Sequence, residues 1–177
     1  MSADPIDQPP LPGRIRPSTE ADFDAMLAII NDAAAAYRGV IPEDCWQELY
    51  MPADDLAGEI AAGVRFACYE SDGALIGVMG SQDVQDVTLI RHAYISTPAQ
   101  RTGIGAALLR QLRARTDRPI LIGTWAVASW AIRFYEKHGF RVIEANEKNA
   151  LLKRYWTVPD RQIATSVVLA DDRWPRK

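Results

Sequence analysis

Ile95-Ser96-Thr97-Pro98-Ala99-Gln100-Arg101-Thr102-Gly103-Ile104-Gly105-Ala106-Ala107-Leu108-Leu109 leaves an apolar segment, turns at a proline and passes through two glycines into an apolar stripe. Upstream, Val87 to Ile95 is rich in Thr, Val, Ile and Tyr and reads as a long β segment. Downstream, Gly103 to Arg115 reads as a helix, with Ile104, Leu108 and Leu112 on one stripe and Leu109 beside it. The stretch is thus a strand, a glycine turn and a helix start. The first amides of a helix have no intrahelical partner, glycines let an anion come close, and the helix dipole favours negative charge there. Arg101 adds a full positive charge. A pyrophosphate is the natural occupant.

Two familiar phosphate cradles do not fit. A P-loop ends in Gly-Lys-Ser/Thr, and no lysine follows these glycines. A Rossmann fingerprint needs a third glycine where Leu108 stands, and an acidic residue at a later strand end that is absent here. A bare Gly-x-Gly turn also occurs as a tight strand–helix junction, so the rest of the chain decides.

Arg14-Ile15-Arg16 reads as a first short strand, and Ser18-Thr19-Glu20 with Asp22 supplies helix-start chemistry. Phe23, Met26, Leu27 and Ile30 then recur at helical spacing until Gly39 and Pro42. Asp44 is placed to cap a second helix beginning near Trp46, and Pro52 to Ile60 reads as a further short one. Val64–Tyr69 and Ala74–Met79 flank a Ser71-Asp72-Gly73 turn. Ile120–Trp125 is the near-continuous apolar run of a strand buried on both faces. Ser129–Lys137 is a helix stopped by His138-Gly139. Arg141–Ile143, a loop and Thr165–Leu169 complete the β content. The order predicts one mixed α/β sheet, and the hydrophobic C-terminal strand, Ala164 to Ala170, is a candidate dimerisation edge.

At 177 residues, the chain suits one domain with a sizeable core. A formal charge of −3 and a pI near 5.4, with basic residues scattered among acids, argue against a general nucleic-acid surface. Cys45 and Cys68 form no CxxC and have no histidine neighbour, so they read as reduced thiols, with no metal site. Residues 1–13, acidic and proline-rich, read as a flexible arm that lacks signal-peptide character, and no apolar run reaches membrane-spanning length. The expected location is the cytoplasm.

A second block narrows the ligand. Gln100-Arg101-Thr102-Gly103-Ile104-Gly105 resembles the Gln/Arg-x-x-Gly-x-Gly/Ala signature of the GNAT superfamily of acyl-CoA-dependent N-acyltransferases. About twenty-five residues on, Trp130-Ala131-Ile132-Arg133-Phe134-Tyr135-Glu136-Lys137-His138-Gly139-Phe140 is similar to that superfamily's Ala-x-x-Phe/Leu-Tyr-Glu-Lys-x-Gly-Phe block, and Ile15 to Asp22 resembles its first strand and helix start. The likeness covers roughly residues 14 to 169, and residues 14–177 are expected to form a single GNAT domain.

The resemblance implies a single mixed, mostly antiparallel sheet with a splayed parallel strand pair, flanked by helices. Acyl-CoA, the co-substrate, would enter the gap between the splayed strands. The backbone near Tyr94, Ile95 and Ser96 would pair with its pantetheine arm. Gln100, Arg101, Thr102, Gly103, Ile104, Gly105 and Ala106 would hold the pyrophosphate, and Ala131, Phe134 and Tyr135 would flank the thioester. Tyr135 stands at the family's general-acid position, and a phenol with a pKa of ~10 is protonated at neutral pH.

Two positions depart from the family pattern. Ala128 replaces a frequent asparagine, and the frequent general-base glutamate falls at apolar Leu89 or Ile90. His92 is the candidate base of suitable chemistry, with Asp83 and Asp86 behind it. Strand alternation points His92 away from the site, an inference that a β-bulge would reverse. The acceptor would lie under the Tyr37–Trp46 loop and near a C-terminal hairpin around Tyr155-Trp156 to Gln162, where Trp46, Trp125, Trp130 and Trp156 are candidate pocket walls. Glu43 or Asp44 are candidates to attract an amine. The implied activity is acetyl transfer from acetyl-CoA to a primary amine of a small molecule or amino acid, by a monomer or homodimer. A peptide acceptor, or a GNAT-fold module that binds acyl-CoA without turnover, are the alternatives.

Overall fold

The structure, a computed structural model, describes residues 11–175. Most of the expected N-terminal arm, residues 1–10, lies outside the described residues; at its end, Leu11 packs on the core and the Gly13 amide donates to Tyr69 Oη at 2.8 Å. The elements in order are β1 (Arg14–Pro17), α1 (Phe23–Ala34), α2 (Ala53–Ala61), β2 (Arg65–Ser71), β3 (Ala74–Val84), β4 (Val87–Ile95), α3 (Ile104–Arg113), β5 (Ile120–Trp125), α4 (Ser129–Lys137), β6 (Arg141–Val142), α5 (Ala145–Tyr155), α6 (Asp160–Thr165) and β7 (Ser166–Ala170).

The strands form one open seven-stranded sheet in the order β1-β2-β3-β4-β5-β7-β6, with β4 and β5 its one parallel pair. Alternation of side chains across the strands divides the core. Ile90, Ile120, Ile122 and Leu169 face Leu108, Leu109, Leu112, Tyr135 and Phe140, from α3, α4 and the turn after α4. On the opposite face, Phe66, Cys68 and Val78 meet Met26, Ile30 and Leu56 of α1 and α2, while Leu89, Leu121 and Val168 meet Leu151, Leu152 and Tyr155 of α5. Each helix therefore buries a single apolar stripe, the pattern expected of helices packed on a sheet.

Two irregularities position the site. The parallel pairing joins only Thr88, Ile90 and the residue between them to Ile120–Ile122. Beyond it, β4 continues on β3 as far as Ile95, and β5 continues on β7 as far as Trp125, so the C-terminal halves of the two strands diverge. The second irregularity is a bulge. Val78 pairs with Tyr94 and Gly80 with Arg91, which leaves one residue of β3 opposite two of β4, and His92 has φ +50°.

Three expectations are corrected. No helix begins near Trp46: Glu43–Cys45 is one 3-10 turn, Trp46 is extended, and the Asp44 carboxylate binds Arg161 Nε and Nη2 at 2.7 and 3.1 Å instead of capping a helix. The loop and hairpin expected before the last strand are α5 and α6, held by Leu151, Leu152, Tyr155 and Ile163 against the sheet. The last strand is not an edge. β7 inserts between β5 and β6, so its apolar residues are covered and the edges fall to β1 and the two-residue β6.

Candidate functional site

On the α3 side of the divergence, the chain leaves β4 through a 3-10 turn, Thr97–Ala99, and enters α3 at Gly103. Gly103 is left-handed at φ +91°, the conformation glycine adopts at no steric cost. Arg101, at φ +65° and exposed, shares the left-handed region. The first helical amide with a partner is Ala107, bonded to Gly103 O at 3.0 Å, so those of Ile104, Gly105 and Ala106 point out of the helix end. The Thr102 hydroxyl donates to Ala99 O at 2.7 Å and closes the turn. The Ile104 side chain lies in the core, leaving its amide as what that residue offers. This donor set fits a pyrophosphate.

Ser96 N donates to Ile76 O at 2.9 Å, and Ser96 O accepts from Ala99 N. Backbone groups of an antiparallel strand alternate in direction. With Ser96 turned to β3, and Tyr94 likewise, the amide and carbonyl of Ile95 face the gap. The Ile95 carbonyl accepts from Gln100 Nε2 at 3.1 Å. Of the three residues expected to pair with a pantetheine arm, Ile95 is the one whose backbone is directed there. Across the gap, α4 brings Phe134 against Gly105, Ala131 against the cluster around Trp125, and the buried Tyr135 between Phe134 and Phe140, at ring separations of 5.1 and 5.8 Å. Burial, reinforced by the nearby Tyr37, pushes the Tyr135 phenol well above the ordinary value, so it keeps its proton at neutral pH. Ala128, fully buried, begins α4 without a side-chain cap.

Toward α1 and α5, the same divergence opens a cavity of about 130 Å³. Tyr37, Tyr50 and Tyr94 form one wall, Trp125 and Trp156 flank it, and Gln162 and Ser166 supply polar groups. Tyr37 stacks on Tyr50 at 5.4 Å, and Tyr50 Oη accepts from Trp125 Nε1 at 3.0 Å. Burial pushes the Tyr37 phenol up to about 12, and burial, reinforced by the neighbouring phenols of Tyr50, Tyr37 and Tyr135, holds Tyr94 well above the ordinary value. The wall is therefore hydroxyl-bearing and uncharged. Of the four tryptophans expected as walls, Trp125 and Trp156 line the cavity, while Trp46 and Trp130 pack behind it on Tyr50 and Tyr37.

Arg91 and His92 also line the cavity. Strict alternation would send His92 to the α3 side with Thr88 and Ile90. The extra residue of the bulge sends it with Arg91 toward α2, where its Nε2 lies 3.2 Å from Glu59 Oε2. A bulge is thus present in β4 at His92. Leu89 and Ile90 are buried apolar side chains that offer no base. Asp83 and Asp86 stand at the opposite end of β4, bound to Thr88 Oγ1 at 2.7 Å and to Tyr155 Oη at 2.8 Å, away from the cavity. Asp44 joins the loop after α1 to α6 through its ion pair with Arg161 and does not line the cavity, nor does Glu43. Tyr37 and Gln162 lie in the two segments expected to border the acceptor. Tyr50, Glu59 and Ser166 lie outside both, and nothing in their local sequence marks them.

Among the described residues, no group of three or more His, Cys, Asp or Glu side chains is placed to hold a metal ion, and no helix is long and apolar enough to cross a membrane. The model of the acetyltransferase (GNAT) domain family matches residues 31–153. No curated protein sequence matches. Among solved structures, the fold is shared with the PaiA N-acetyltransferase of Thermoplasma acidophilum in complex with coenzyme A, at TM-score 0.69 and 17% identity over 91% of this chain and 99% of that one. It is shared with the ribosomal-protein-S18-alanine N-acetyltransferase of Escherichia coli, at 0.64 and 20% over 90% and 92%. A third is YncA, a putative acetyltransferase of Salmonella typhimurium with acetyl-CoA, at 0.59 and 22% over 76% and 82%.

Proposed function

The chain belongs to the GNAT acetyltransferase family, and on that premise we propose that it moves an acetyl group from acetyl-CoA to the primary amine of a small molecule or amino acid. The observation that carries the reading is the half-formed β4–β5 pair. Its open end has unpaired α3 amides and a protonated Tyr135 on one face, and a cavity with hydroxyl-bearing aromatic walls on the other. A cavity of about 130 Å³ admits a compact amine, which favours a small acceptor. A ribosomal-protein acetyltransferase shares the fold, so peptide N-termini belong in the test panel.

Acetyl-CoA supplies the acetyl group as a thioester. The amides of Ile104, Gly105 and Ala106, with Gln100, Arg101, Thr102 and Gly103, hold its pyrophosphate end; Tyr94, Ile95 and Ser96 border its arm, with Ile95 N–H directed toward it; Ala131 and Phe134 flank the thioester. His92 takes a proton from the acceptor ammonium, which frees the nitrogen lone pair to form the new C–N bond. As the C–S bond breaks, Tyr135 gives its proton to the sulfur, and the proton shed by the new amide nitrogen passes through solvent to restore it. The sum is ammonium plus thioester to amide, thiol and one proton. An acidic chain without a basic run supports work in the cytoplasm on a soluble acceptor.

The apolar Leu89 and Ile90 favour one other reading, a module that holds acyl-CoA without turning it over. Thiol release from acetyl-CoA across a panel of amines, amino acids and peptides separates the two: turnover with a small amine supports the enzyme, and saturable coenzyme A binding with no turnover supports the module. Tyr135→Phe keeps the ring and loses the proton; it should lower kcat by about 100-fold with KM for acetyl-CoA little changed. Unchanged kcat would remove Tyr135 from the chemistry.

A further inference from the structure

We propose that Glu59 positions the His92 imidazole for proton transfer, so that a carboxylate of α2 and a bulged histidine of β4 act as one unit. This rests on the reading that the protein acetylates amines. The two residues are far apart in sequence, and their meeting depends on a backbone irregularity. A non-glycine residue at φ +50° inside a strand is strained, and such strain persists only where the surroundings hold it.

Here the surroundings are specific. Glu59 Oε1 accepts from Arg91 Nη2 at 2.9 Å, and Arg91 Nη1 donates to Gln82 Oε1 at 3.0 Å. The Gln82 amide in turn donates to Ala62 O at 2.9 Å, just beyond α2. This chain fixes the carboxylate and leaves Glu59 Oε2 turned to His92 Nε2 at 3.2 Å. Both atoms are buried, without the alignment of a full hydrogen bond and with no other partner, and such pairs often tighten only when the reacting complex forms. Phe66 of β2 lies along the imidazole, rings 6.1 Å apart and 27° from parallel.

The charges agree with the geometry. Burial alone would raise the Glu59 carboxyl, but the contact with His92 and the charge of Arg91 outweigh it and hold it below the usual range. The groups facing His92 are thus anionic Glu59 from α2, Arg91 from β4 and the Phe66 ring from β2, with the neutral phenols of Tyr37, Tyr50 and Tyr94 across the cavity. An imidazole whose Nε2 faces a carboxylate carries its hydrogen there, which leaves the Nδ1 lone pair to take the proton of the acceptor ammonium. The imidazolium then rests against Glu59 until the proton passes to solvent. The Arg91 guanidinium is held against Glu59 by this ion pair.

A double-mutant cycle with chemical rescue tests the unit. Glycine suits φ +50°, so His92→Gly removes the imidazole without opposing the backbone, and His92→Asn, tolerant of the same conformation, serves if the glycine variant unfolds. His92→Gly should lower kcat by about 100-fold, leave KM for acetyl-CoA unchanged and regain turnover with added imidazole in a saturable way. Glu59→Gln should lower kcat by about 10-fold in the wild-type background and cost nothing further in His92→Gly without imidazole. Equal losses from Glu59→Gln in both backgrounds, or a wild-type kcat, would overturn the positioning role and leave the acetyltransferase reading standing. If wild-type protein releases no thiol with any amine, that reading falls and the unit with it.

Discussion

Gly105 and Gly123 stand on opposite faces of the diverging β4–β5 pair, and each keeps a wall of the gap flat. A Cβ on Gly105 would lie 3.4 Å from the Phe134 ring, on the α3 and α4 side; one on Gly123 would lie 3.4 Å from the Trp156 ring, inside the cavity. Around Gly105 the groups proposed to hold the ligand are backbone amides from one continuous stretch, Arg101 to Ala106. Around Gly123 they are side chains from α1's trailing turn, β4, β5, α5, α6 and β7, assembled by topology alone. The first half suits a ligand part whose chemistry does not vary, a pyrophosphate. The second half can change occupant by changing a few side chains while the first stays as it is.

The sharpest way to break this division is to crowd each glycine in turn. Gly105→Val places methyl groups against Phe134 where the amides of the α3 start must be approached. Losing charge-assisted contacts of about 3 kcal/mol corresponds to ~100-fold in affinity, so calorimetric titration with coenzyme A should show at least that loss. A variant that binds coenzyme A like the wild type would show that the turn is only a junction. Gly123→Val puts a β-branched side chain into a strand, which the backbone accepts, and pushes it toward Trp156. The acceptor kcat/KM should fall about 10-fold, with coenzyme A affinity intact. If coenzyme A affinity falls instead, the two faces are not separable and the division above is wrong.

The same contrast explains what the sequence could disclose. Gly103 and Gly105 lie in a contiguous block whose spacing implies a helix start, and Tyr135 lies in the block that carries the resemblance, which is what marks it out. The resemblance implies the splay, and the register shows where it begins, beyond the last parallel pair, Ile90 and Ile122. The bulge left no mark in Arg91-His92-Ala93, because a slipped residue changes which face a side chain meets without changing composition. Alternation alone therefore aims His92 at the α3 side, whereas the structure turns it toward α2. Tyr50, Glu59 and Ser166 are ordinary residues until the chain closes around them. Local sequence does not mark helix α5, because Ala145 to Tyr155 is largely polar and its buried Leu151, Leu152 and Tyr155 become a stripe only against Leu121 and Val168. The insertion of β7 between β5 and β6 is a long-range pairing for which no nearby residue speaks.

A smaller effect, away from both faces, checks that the two halves are tied to one fold. Arg16 of β1 grips Asp22 through Nη1 and Nη2 at 2.7 and 2.9 Å and Glu70 of β2 through Nε at 2.6 Å, while Thr19 N donates to Asp22 Oδ2 at 2.7 Å. These bonds, the Arg16 one foremost, hold the Asp22 carboxyl far below the ordinary range despite the opposing cost of its burial. A carboxylate depressed on folding adds stability that is complete above its unfolded value of ~4 and is lost as pH falls toward the folded one. Asp22→Asn should lower Tm by ~5 °C at pH 7, and its difference from wild type should shrink steadily from about pH 5 downward. Because this network joins β1, β2 and the start of α1 to the sheet that carries both walls, coenzyme A binding and cavity fluorescence from Trp125 and Trp156 should be lost in one transition. Two separated transitions would mean that the α3 half and the acceptor half melt as independent units, and the division seen in their chemistry would then extend to their folding.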